Sequence, residues 1–168
     1  YTELADSIEG RARLLGQEPE AREMLLKAAE LRQEAKDPRA AIDVLMYLVE
    51  TFGPAHDVHE LLIPLLVQAR MIPELLATLA AEARIVAPEE RAPILARIAT
   101  VKAKQKDHEG ALEAYAEVLA LAPADPAARA YVEAALHGSN AGSGSEAGGA
   151  GDLRLRASDI LAPVYQAA

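Results

Sequence analysis

The chain has 168 residues, a formal net charge of −9 and no cysteine. Disulfides, thiolate zinc sites and a cysteine nucleophile are therefore excluded, as is sequence-independent binding to nucleic acid, which needs a positive field. Hydrophobic residues make up 51% but aromatic ones only 4%, so the core must come from Leu, Ala, Ile and Val, a mix that suits closely packed helices.

Tyr1 to Leu15 reads as one helix, with a turn around Pro19 at Gln17 to Glu20. Ala21 to Ala35 is the next helix, turning Leu25, Ala28, Ala29 and Leu31 inward. Asp37-Pro38 opens another, since proline is comfortable in a first turn whose amides are unpaired. That helix runs through Ile42, Leu45, Leu48 and Val49 to Phe52 and ends at Gly53-Pro54. Ala55 to Arg70 follows with Pro64 inside it, either a tolerated kink or a hinge. Pro73 to Val86 is closed by Ala87-Pro88. Pro88 to Gln105, Glu109 to Leu121 and Pro126 to Leu136 complete the series.

Composition then shifts. His137 to Asp152 is rich in Gly and Ser and too poor in apolar residues to offset its ordering entropy, so 138–151 is expected to be a flexible linker, either a natural insertion or an engineered join. Residues 152–168 form a final helix, in which ASDILAPVYQA echoes VHELLIPLLVQ, with Leu161 matching Leu62 and Pro163 matching Pro64. No apolar run approaches the roughly 18 residues of a membrane span, and no signal-peptide pattern is present.

A long internal repeat is visible. Asp37 and Asp107 stand 70 residues apart, and at the same offset Leu25 matches Leu95, Ala29 matches Ala99, Ala41 matches Ala111 and Leu45 matches Tyr115. The segment KQKDHEGALEAYAEVLALAPAD, Lys104 to Asp125, is the best formed: Asp107 in the turn, Ala111 early in the helix, Tyr115 a turn later, then Val118, Leu119 and the terminating Pro123. Leu95, Ile98 and small Ala99 supply the facing helix. This unit resembles a tetratricopeptide repeat, and 70 residues is about two such units of 34. It departs from the family pattern at Lys106, where a turn glycine is usual, at Val118, where alanine is preferred, and at Lys102, where an aromatic is preferred. The resemblance covers Ala21 to Leu136 and is closest to long bacterial arrays.

The candidates for chemistry are few. His56 and His59, with Asp57 and Glu60, are the only cluster with metal-ligand spacing. Two histidines without a visible third ligand make a poor site, and HDVHE lacks the HExxH order of zinc peptidases. The expectation is that these residues occupy the exposed first turn of a helix and cap it. Glu89-Glu90 is explained by the helix dipole, the serines lack a nucleophile-elbow context, and the Gly-rich run has no Lys-Ser/Thr ending for a phosphate. Tyr47, Tyr115, Tyr131 and Tyr165 fall at helical spacing and are expected to pack.

The resemblance implies an all-α, right-handed superhelical solenoid of antiparallel helical hairpins, with 1–137 as the array and 152–168 the terminal helix of a truncated repeat. It implies a non-catalytic protein-interaction scaffold with no cofactor. First helices line the concave face in the family. Carried onto this sequence, that groove consists of Glu23, Leu26, Glu30 and Gln33, then Val58, Leu61, Leu65 and Gln68, then Ala96, Thr100 and Lys104. The Lys and Asn clamp for a peptide carboxylate is missing, so the expected partner is a protein or peptide with an apolar stripe and a basic flank, not nucleic acid and not a membrane interior. The first and last helices keep apolar faces, which predicts self-association through the ends or docking of the last helix onto the body. Tyr1 is not an initiator, so an excerpt of a longer bacterial, cytoplasmic protein is expected; Arg exceeds Lys and Ala is abundant, as in GC-rich bacterial genomes. The alternative is the helical portion of a catalytic or sensory protein, with His56, His59 and Glu60 as its metal ligands.

Overall fold

The computed structural model describes residues 1–137 and 156–163. The 138–151 segment and most of 152–168, including Tyr165, lie outside the described residues. Eight helices are α1 (Thr2–Leu15), α2 (Pro19–Glu34), α3 (Pro38–Phe52), α4 (His56–Ala69), α5 (Ile72–Ile85), α6 (Pro88–Lys104), α7 (His108–Leu121) and α8 (Pro126–Leu136). A further helix spans 156–163, and no strand occurs among the described residues. Packing divides the array into two compact units, Tyr1–Val86 and Ala87–Ala168. Each helix packs on its neighbour in sequence: α1 on α2, α2 on α3, α3 on α4 and α4 on α5 in the first unit, α6 on α7 and α7 on α8 in the second.

The helix starts follow from proline and aspartate. Pro19, Pro38, Pro88 and Pro126 each open a helix, where the missing amide proton is not needed. Pro19 therefore begins α2 two residues before the expected start. Asp37, Asp107 and Asp125 accept the amides of Ala40, Gly110 and Ala128 at 3.1, 3.0 and 2.8 Å. α4 is assigned helical throughout, with Pro64 exposed.

Three hairpin turns share one construction. Lys36, Arg70 and Lys106 adopt φ of 59°, 55° and 64° between α2 and α3, α4 and α5, and α6 and α7. After each, the next amide returns to the carbonyl five residues back: Asp37 to Arg32 at 2.9 Å, Met71 to Leu66 at 3.1 Å and Asp107 to Lys102 at 3.0 Å. This is the Schellman arrangement, whose left-handed residue is normally glycine. The turns lie 34 and 36 residues apart. They mark the single repeat that the 70-residue match had shown only doubled. Lys36→Gly, Arg70→Gly and Lys106→Gly should each stabilise the chain by about 0.5–1 kcal/mol, since relief of the side-chain penalty outweighs the entropy that glycine adds to the unfolded state. Urea midpoints of the three variants check this, and a lower midpoint in all three would contradict it.

The core is aliphatic and alanine-rich. α1 buries only Ala5 and Ala12, and α2 buries Ala21, Ala28 and Ala29 beside Leu25. Such small side chains let helix axes approach closely. Around them Ile42, Leu45 and Leu48 of α3, Leu62 and Leu66 of α4 and Leu79 of α5 fill the first unit. Leu95 and Ile98 of α6, Leu112 and Leu119 of α7 and Val132 of α8 fill the second. Arg32, itself buried, ties α2 to α1 through Asp6 and through Glu9 at 2.9 Å.

Candidate functional site

The first-helix stripe predicted on α2 is largely open. Glu23, Glu30 and Gln33 are exposed and Leu26 is half-buried, while the core takes the opposite side. Glu30 accepts from Lys27 at 3.0 Å, which raises the Lys27 pKa. On α4, Leu61 is half-buried and Gln68 exposed, but Val58 is 0% and Leu65 8% exposed. Those two belong to the core. α4 carries apolar residues over most of its circumference, and packing against α3 and α5 buries Val58, Leu62, Leu65 and Leu66, which leaves a narrower free edge than the family pattern implies. On α6, Ala96 is half-buried, and Thr100 and Lys104 are exposed. The Thr100 hydroxyl donates to the Ala96 carbonyl at 2.9 Å.

His56 and His59 do not come together with Glu60 to hold a metal. Glu60 is exposed, 3.4 Å from His56 Nε2, and both imidazole Nδ1 atoms turn instead to Glu82 on α5. His59 Nδ1 lies 2.6 Å from Glu82 Oε2, and His56 Nδ1 contacts Oε1. His59 is 1% and Glu82 5% exposed, so the expected exposed cap is corrected to a buried carboxylate bridging two rings. His59 lies on the face of α4 that meets α5, which draws it inward. Burial alone would push the Glu82 carboxyl up; the hydrogen bonds and charge of His56 and His59 outweigh that and hold it below its ordinary value. Among the described residues no three His, Cys, Asp or Glu side chains could hold a metal ion. Beside the cluster, Arg22 of α2 donates to Asp57 at 2.7 and 2.8 Å and lowers its pKa. Glu82 was detectable in the sequence: Leu75, Leu79, Glu82 and Ala83 share one stripe, and an acid on an apolar stripe implies a buried partner.

The second unit carries a different surface. The helix at 156–163 lies along α7, with Arg156 paired to Glu109 and 3.7 Å from Glu113. Ala157 and Leu161 are buried. Over its described residues the last helix therefore packs on the body, as one of the two expected outcomes has it. A cleft of about 340 Å³ runs beside it, walled by Ala116, Leu119, Ala120 and Pro123 on one side and Asp159, Ile160 and Pro163 on the other. The described helices include none long and apolar enough to cross a membrane.

No protein-family model and no curated protein matches the chain. Solved structures do. One crystal structure of MamA is 18% identical, covers 95% of this chain and 85% of its own, and superposes with a TM-score of 0.52. A second MamA crystal structure is 17% identical, with coverages of 99% and 88% and a TM-score of 0.51. At these identities the likeness is one of fold: an all-helical repeat protein, distantly tetratricopeptide-like.

Proposed function

We propose that the chain is a non-catalytic protein-interaction scaffold whose first helices receive a helix or extended segment with an apolar stripe and a basic flank. The observation that carries this reading is the free edge of α2 and α4, where exposed Glu23, Glu30, Gln33 and Gln68 frame half-buried Leu26 and Leu61. Acid at one end favours a basic flank and speeds encounter, while partly covered leucines set the lifetime of the complex. Ala96, Thr100 and Lys104, on α6 of the second unit, would form a surface of their own. The tetratricopeptide-like fold supports the reading, because stacked hairpins expose long continuous surfaces. The engagement of both His56 and His59 by Glu82 favours a scaffold over a metal-dependent enzyme, and the charge of −9 favours protein over nucleic acid as partner.

The test is a peptide array probed with two variants, Leu26→Asp with Leu61→Asp and Glu23→Lys with Glu30→Lys. Leu65→Asp is unsuitable, since it would place a charge in the core. The first pair should abolish capture of basic amphipathic peptides. The second should weaken it several-fold and flatten its salt dependence. Equal capture by the parent and both variants would remove the groove as the site.

A further inference from the structure

We propose that the outer face of α7 is a docking strip for a short amphipathic helix led by arginine. The helix at 156–163 is its resident occupant, a latch that a partner helix of the same pattern displaces. The strip is independent of the first-helix groove, because α7 is the second helix of its hairpin.

Glu109, Glu113, Ala116 and Ala120 recur at intervals of four, three and four residues, which aligns them along one side of α7. The acidic end takes Arg156, and the small apolar end faces Ile160. The resident segment thus shows the chemistry that the strip recognises: arginine first, then apolar residues one, four and five positions on, at Ala157, Ile160 and Leu161. One feature makes the occupant releasable. Over its described residues it buries Ala157 and Leu161, and its ion pairs to Glu109 and Glu113 have members more than two-fifths exposed, a class that contributes little. The cleft beside Ile160 and Pro163 leaves room for a competitor with larger side chains at those positions.

The probe is a fluorescent peptide of residues 152–168, added to the full chain and to its variants and read by fluorescence polarisation. Leu161→Asp in the chain should vacate the strip and tighten peptide binding by about ten-fold or more, the advantage a tethered occupant holds over a free one. Glu109→Lys with Glu113→Lys, added to that variant, should remove the gain. A peptide carrying Arg156→Glu should fail on Leu161→Asp and recover on the lysine background. Arg156→Glu in the chain is a second release variant, at an exposed position, should Leu161→Asp disturb the second unit. Equal affinity for the parent and both release variants, or indifference to charge reversal on α7, would overturn the proposal.

Discussion

Tyr115→Ala is expected to lower stability by about 3–5 kcal/mol, the range for large aromatic truncations in a core. Tyr115 is 8% exposed and sits on the buried side of α7 with Ala111, Leu112, Val118 and Leu119. Its ring lies 4.6 Å from that of Tyr131 on α8, tilted by 34°, and its hydroxyl is 3.4 Å from the Thr100 hydroxyl of α6. One side chain therefore joins three helices. Truncation removes the buried ring, leaves a void between α6 and α8, and strips Tyr131 of its aromatic neighbour. Tyr131 is already partly withdrawn from water: burial first, then Tyr115 and Asp107, push its phenol up, and its hydroxyl lies 3.2 Å from His108 Nδ1. Tyr115→Phe keeps the ring and gives up only a long hydroxyl contact, so it should cost less than about 1 kcal/mol. Urea unfolding followed by circular dichroism distinguishes the two. A loss below about 1 kcal/mol for the alanine variant would mean that the ring contributes no more than a surface residue.

The parts of this fold legible in the sequence were those set by local chemistry. Pro38, Asp107 and Pro126 fix helix starts through the unpaired amides of a first turn, and the structure places them there. Leu25, Ala29, Ala41, Leu45, Leu95, Ala99, Ala111 and Tyr115, matched at the 70-residue offset, are all buried. What eluded a linear reading was non-local. α4 is apolar over most of its circumference, so its pattern does not say which of Val58, Leu61, Leu62 and Leu65 the neighbouring helices cover, and Val58 and Leu65 go inward. The turns were hidden for another reason. Lysine and arginine occupy left-handed positions where glycine would have announced them, so only the backbone shows that Lys36, Arg70 and Lys106 are equivalent. The α7 strip is non-local: Glu113 reads as a solvated residue until a helix more than forty positions away lays Arg156 beside it.

Glu82→Ala should cost about 3 kcal/mol near neutral pH, the upper end for leaving a buried polar group without its hydrogen-bond partner. The loss exceeds that of a hydrogen bond because His59 stays buried with its Nδ1 facing a void. Glu82→Gln keeps the volume and one acceptor, so it should cost less and isolate the charge. The pH dependence has a definite sign. The Glu82 carboxyl is held below its ordinary value of 4.5, so the folded state favours the ionised form. Its contribution is complete above the unfolded value and is lost as pH falls through the folded one. The stability gap between parent and Glu82→Gln should therefore be level near about pH 5 and shrink steadily toward about pH 3. Asp57, held low by Arg22 on the same face, also weakens in acid, but it does so equally in both proteins and cancels from the difference. Glu60 faces His56 from the solvent side of α4 and cancels likewise. Urea unfolding of the pair across this range is the measurement. A gap that held constant down to about pH 3 would mean that the carboxylate gains nothing from the two imidazoles, and that α4 and α5 are joined by their leucines alone.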